Sequence, residues 1–165
     1  MSSIISRVRD WISPGKTTKS RPPDKTPINI TAPQQVESMP HGRVLVVDDI
    51  EINLDIAETI LKAYDIQTDR ATSGLAALEK IENGEVYDII FMDHMMPGMD
   101  GLETTKNIRN LNYNRPIVAL TANAIKDTEE IFMHSGFSGF ISKPIDYTHM
   151  EKYLFKFIRD KELLK

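Results

Sequence analysis

The chain has 165 residues, 41% hydrophobic and 27% charged, enough to bury one ordinary core with a tail to spare. It contains no cysteine, which excludes disulfides, thiolate metal sites and thiol nucleophiles and leaves oxygen chemistry. Residues 1–40 carry six Lys/Arg against three Asp/Glu, whereas the remainder is strongly acidic, a balance that argues against a nucleic-acid footprint.

At the start of the chain, "MSSIISRVRDWISPG" places charges where a leader peptide needs its apolar stretch. No apolar run approaches the roughly 18–20 residues that span a bilayer. A cytoplasmic location without membrane contact by this fragment is expected. Ile4, Ile5, Val8, Trp11 and Ile12 fall on one face of a short helix. Residues 13–40 then hold six of the nine prolines and few large apolar side chains, the composition of a solvated linker. The expected organisation is a short helix and Pro-rich linker over 1–40, and one folded domain over 41–165.

From Arg43 the pattern alternates. "RVLVV" is a continuous β-branched run, the mark of a strand covered on both faces. "EINLDIAETILKAY" follows, with Ile52, Ile56, Ile60 and Leu61 at helical spacing. A strand "IQTDRA", a helix "GLAALEKIEN" ended by Gly84, and a strand "DIIFM" come next. A helix from about Gly101 to Asn110, the strand "PIVAL" and a weaker helix near Ala124 to His134 continue the alternation. The short strand "GFIS" and an amphipathic helix from about Asp146 to Asp160, burying Met150, Leu154, Phe157 and Ile158, close it. Such alternation predicts an α/β fold, a parallel sheet with helices on both faces and ligands at the carboxyl ends of its strands.

Those ends carry the chemistry. Strand one finishes in Asp48 and Asp49, strand three in Asp93, strand four in Thr121, and strand five leads into Lys143. Three carboxylates on one edge repel one another, and a hard divalent cation with retained waters, Mg²⁺ in a cytosolic setting, relieves that repulsion. A lysine and a hydroxyl beside them supply what holds the oxygens of a transferring phosphoryl group. The constellation describes phosphoryl transfer onto a carboxylate. Asp93 is the expected nucleophile, with the Pro/Gly loop "MMPGMDG" behind it, and Asp48 and Asp49 hold the metal. His94 sits beside it, but alternation along the strand turns its side chain away from that of Asp93. Met92, Met95, Met96 and Met99 are expected to pack or to contact a partner.

"VLVVDD", "FMDHMMPGMDG", "ALTANA" and "SKP", in this order and spacing, resemble the receiver domain of two-component response regulators, and most resemble receivers attached to hybrid histidine kinases. The likeness covers about residues 42–162. It implies a doubly wound (βα)5, flavodoxin-like fold with a five-stranded parallel sheet in the order 2-1-3-4-5. It also implies that Asp93 accepts a phosphoryl group from a histidine. Mg²⁺ would be bound by Asp49, Asp93 and the Met95 carbonyl, with Asp48 acting through water. Lys143 would pair with the phosphoryl group, and the peptide from Lys143 to Pro144 would be cis.

A conformational switch is implied as well, in which Thr121 moves toward the phosphorylated Asp93 and Phe140 rotates inward. That motion would change the face formed by the helix near 124–134 and the fifth strand. The implied partners are a sensor kinase's phosphohistidine domain or a histidine-phosphotransfer protein, meeting the surface around Ile50, Asn53 and Pro144. A receiver of this kind catalyses its own phosphorylation and dephosphorylation, and a full-length parent would be a histidine kinase. In this family the positions two beyond the phosphoacceptor and the threonine help set the lifetime of the phosphoryl group. Here they are Met95 and Asn123, and Met95 offers no strong hydrogen bond to an attacking water, so a long-lived state is expected.

Three alternatives stay open. The chain could be a stand-alone receiver rather than the C-terminal piece of a hybrid sensor kinase. It could be a docking module of the same fold. A phosphatase of the haloacid dehalogenase type uses an Asp nucleophile on a similar sheet, but needs an Asp-x-Asp pattern after the first strand, where this sequence has adjacent acids.

Overall fold

The computed structural model describes residues 36–122 and 132–160. The expected N-terminal helix, the linker as far as residue 35, Asn123 and most of the helix near 124–134 lie outside them; residues 132–134, which end that helix, are helical.

The elements are β1 (Arg43–Val47), α1 (Glu51–Ala63), β2 (Gln67–Ala71), α2 (Gly74–Glu82), β3 (Ile89–Asp93), α3 (Gly101–Asn110), β4 (Ile117–Thr121), β5 (Gly139–Ser142) and α4 (Tyr147–Leu154). The strands form one parallel sheet in the order β2-β1-β3-β4-β5. The three central strands are buried almost throughout because their continuous apolar runs serve two cores at once. Val44, Val46, Phe91, Val118 and Leu120 pack toward α1 and α4, whereas Leu45, Val47, Ile90, Met92, Ile117 and Ala119 pack toward α2 and α3.

The helices carry local start and stop signals. Ser73, Asp100 and Asp146 each accept a hydrogen bond from a backbone N–H in the first turn of the helix that follows. Gly84, at φ +85°, supplies the left-handed residue just after α2.

Two details differ from the periodicity reading. Ile52 is 61% exposed, and α1 buries Leu54, Ala57, Ile60 and Leu61. Ile52 precedes Leu54 by two residues, about 200° around the helix, so it cannot share that stripe. In the last helix Tyr153, three residues after Met150, is buried with the α4 stripe, whereas Phe157 is only partly buried, in a π-helical turn over Phe155–Arg159 that shifts the phase of the inward face beyond Leu154.

Residues 36–40, prolonging the linker by composition, pack on the domain. Met39 is 1% exposed within the α1/α4 core, its N–H donates to Tyr64 O at 2.7 Å, and Val36 packs against the same core. The folded domain therefore includes residues ahead of β1.

Candidate phosphoacceptor site

The parallel ladder brings the expected residues together by continuing past the strands. Asp48 N–H donates to Ala71 O at 3.1 Å, His94 N–H to Leu120 O at 2.9 Å and Lys143 N–H to Thr121 O at 2.7 Å. These bonds fix the carboxyl ends of all five strands at one level. Asp48, Asp49, Asp93, Thr121 and Lys143 all lie along that edge.

Asp48 is fully buried, Asp93 is 5% exposed, and Asp49 reaches solvent. One carboxylate oxygen from each of the three lies within 4.8 Å of the others. Lys143 Nζ bridges two of them, 2.7 Å from Asp48 Oδ2 and 3.0 Å from Asp93 Oδ2. Asp48 Oδ1 also accepts from Ile50 N–H at 3.0 Å, and the Asn53 side-chain amide donates to both Asp48 oxygens at 3.0 and 3.1 Å. Asp93 Oδ1 accepts from Met95 N–H at 3.3 Å. The Lys143–Pro144 peptide is cis.

Three acids and one lysine leave the cluster net negative. Burial pushes the Asp93 carboxyl above the usual carboxylate range, aided by neighbouring Asp48 and opposed by Lys143 and the Met95 N–H. Burial pulls the Lys143 ammonium down, but its hydrogen bonds to Asp48 and Asp93 prevail and its affinity for the proton is raised. The lysine is thus held charged against Asp93.

The donor set fits a hard divalent cation. Opposite ligands of an octahedral Mg²⁺ stand about 4.2 Å apart, so the 4.8 Å spread of carboxylate oxygens needs only a small adjustment. The exposure of Asp49 leaves room for retained waters.

The loop after β3 answers to close packing. Gly98 has φ +79°, and a Cβ on Gly101 would collide with the Asp93 carbonyl oxygen. Asp100 caps α3 through Glu103 N–H at 2.8 Å, and Gly101 N–H donates to His94 O at 3.1 Å. The start of α3 is thereby clamped to the backbone of Asp93 and His94. His94 turns into the α2/α3 side, its ring edge-on to Phe132 at a centroid distance of 5.2 Å. Met92 and Met96 are buried, Met99 is half-buried, and Met95 is 69% exposed.

The remaining residues fall at the rim. Thr121 is buried at the end of β4, and Phe140 is half-buried on β5 with its ring 6.4 Å from that of Phe132. Ile50 is 50% exposed beside the acid pocket, and Pro144 is exposed next to Lys143. Asn53, expected at the partner surface, also orients a buried acid. Its spacing of five residues from Asp48, across the turn into α1, was the signal available in the sequence.

A small acidic pocket closed by one lysine at the edge of a doubly wound sheet is suited to holding a divalent cation and the oxygens of a phosphoryl group. A family model described as the response regulator receiver domain matches residues 44–163. The chain belongs to that family.

Over 123 residues it is 36% identical to the aerobic respiration control sensor protein ArcB of Escherichia coli K12, covering 72% of this chain and 15% of that protein. Over 121 residues it is 39% identical to the osmosensing histidine protein kinase SLN1 of Saccharomyces cerevisiae, covering 70% of this chain and 10% of that protein. The chain thus spans a small part of these relatives' length.

Among solved structures it is similar to the receiver domain of sensor histidine kinase PA1611 of Pseudomonas aeruginosa, which holds magnesium in its active-site cleft. The TM-score is 0.65 at 28% identity, covering 71% of this chain and 97% of that one. It is also similar to a co-crystal structure of the S. cerevisiae phosphotransfer protein Ypd1 with the receiver domain of Ssk1, at TM-score 0.69 and 25% identity, covering 77% and 94%. The chain is a receiver domain homologous to those of hybrid sensor kinases and phosphorelays, and its Asp cluster fits a Mg²⁺ phosphoacceptor site. Among the described residues no helix is long and apolar enough to cross a membrane.

Proposed function

We propose that Asp93 takes a phosphoryl group from a phosphohistidine, with Mg²⁺ bound by Asp49, Asp93 and the Met95 carbonyl and with Asp48 reaching it through water. The observation that carries this reading is Lys143 Nζ lying within 3.0 Å of acids from β1 and β3 at once. An Asp93 carboxylate oxygen attacks phosphorus. The P–N bond breaks with its electron pair passing to the imidazole, which leaves neutral when its other nitrogen carries the proton. Bound Mg²⁺ supplies neutralisation of the phosphoryl oxygens' charge. Lys143 exchanges its bond to Asp93 Oδ2 for one to the incoming group, and Asp48, held by Asn53 and Ile50 N–H, keeps the ammonium in place. Thr121 closes on the phosphoryl group from β4, and the Phe140 ring turns inward beside it.

The donor is a histidine-phosphotransfer protein or a kinase's phosphohistidine domain, docking on Ile50, Asn53 and Pro144. The co-crystallised Ypd1 and Ssk1 proteins support this class of partner. The hybrid-kinase relatives support a parent of that type, in which this domain would be cytoplasmic.

Mg²⁺ is expected to stabilise the fold, by roughly 2.7 kcal/mol at a hundredfold excess over Kd. Thermal melts with and without chelator measure this, and Asp49→Asn is expected to remove the shift. A melt indifferent to Mg²⁺ in the parent chain would count against the site. Met95→Asn is expected to change the decay rate of the phosphorylated chain, followed by its loss of label with time, and an unchanged rate would remove Met95 from that role.

A further inference from the structure

β5 ends the sheet order, so among the described residues one of its edges has no strand beside it. In a parallel ladder, alternate residues direct both backbone groups to the same neighbour. Lys143 N–H donates to Thr121 O, which assigns odd-numbered residues of this strand to β4 and turns the N–H and C=O of Phe140 to the open edge. Both groups are met by one side chain. The Tyr153 hydroxyl accepts from Phe140 N–H at 3.1 Å and donates to Phe140 O at 2.9 Å.

Several features build this contact. Tyr153 is 8% exposed on α4, and its ring stacks on Phe157 at 6.2 Å. Gly139 makes the space, since a Cβ there would stand 2.5 Å from the hydroxyl oxygen. The phenol therefore does for β5 what a sixth strand would do, at a single residue. That residue carries the half-buried ring facing Phe132, three positions from Lys143.

We propose that Tyr153 is a positioning residue: its hydroxyl latches the backbone of Phe140 to α4 and thereby holds the receiver in its resting arrangement. This rests on the assignment of Asp93 as phosphoacceptor and Phe140 as its switch. A contact that favours one of two arrangements shifts their populations by its differential strength. Removing the hydroxyl raises the share of chains ready to accept the phosphoryl group.

The test uses the full chain and its Tyr153→Phe variant, which keeps the ring. Gly139→Ala, which pushes the phenol away, is the independent second variant. Two quantities are read: hydrogen exchange of the Phe140 amide, and the rate of phosphoryl uptake from a small acyl phosphate with Mg²⁺. Loss of one hydrogen bond predicts about tenfold faster exchange in both variants, together with roughly threefold or greater acceleration of uptake. Mere loosening of the fold would not speed uptake. Unchanged exchange overturns the latch, and faster exchange with unchanged or slower uptake overturns its positioning role. Failure of the parent chain to take up any phosphoryl group overturns the underlying site assignment instead, and the exchange measurement separates the two.

Discussion

Asp93→Asn is expected to abolish phosphoryl uptake and, in metal-free buffer, to leave the chain more stable than its parent. The first effect follows from chemistry, because an amide oxygen is too poor a nucleophile to replace the carboxylate. The second follows from the pocket. Asp93 is buried with Asp48, and the pair shares one lysine. Its raised proton affinity means that folding disfavours the charged form. Asparagine keeps an acceptor for the Lys143 ammonium or the Met95 N–H while removing a charge, and Lys143 still pairs with Asp48. A gain of about 1 kcal/mol, or roughly 3–6 °C in Tm for a domain of this size, is expected. Scanning calorimetry in chelator measures it. A variant less stable than the parent would show that the Lys143–Asp93 ion pair outweighs the burial and repulsion of the acid.

Gly101→Ala is expected to cost about 2–4 kcal/mol and to impair the site without touching a charged group. The new Cβ would meet the Asp93 carbonyl oxygen and crowd the His94 Cα, both backbone atoms that no side-chain rotation can move aside. Either α3 moves away from Asp93, losing the Gly101 N–H bond to His94 O, or the end of β3 shifts. Urea denaturation gives the first quantity and Mg²⁺ affinity the second. Alanine elsewhere stabilises helices, so the sign is diagnostic. Unchanged stability would mean that the loop relaxes freely.

Much of this was legible in the sequence. A strand buried on both faces must be apolar at every position, so β1, β3 and β4 announced themselves, as did the acids that break those runs. The parallel fold then placed Asp48, Asp93 and Lys143 on one edge without further information.

What stayed hidden depends on phase and close approach. Ile52 has the right spacing to Ile56 and Ile60, but the stripe that faces the sheet is set by Leu54, Ala57 and Leu61. The partial exposure of Phe157 accompanies a π-helical turn over Phe155–Arg159 that no hydrophobic pattern encodes. Met39 is a single apolar residue among prolines and polar side chains, too little to register in composition, yet it is buried. The contact of the Asn53 amide with Asp48 was hinted at by their spacing, but its two hydrogen bonds depend on how the turn leads from β1 into α1.

Mapping the modification by peptide mass spectrometry, after incubating the chain with Mg²⁺ and a phosphorylated histidine-phosphotransfer domain, tests the central claim most directly. One phosphoryl group on the peptide containing Asp93, absent from Asp93→Asn and absent when the metal is chelated, is the outcome expected. An unmodified chain, or a phosphoryl group on His94 that survives in Asp93→Asn, would contradict it.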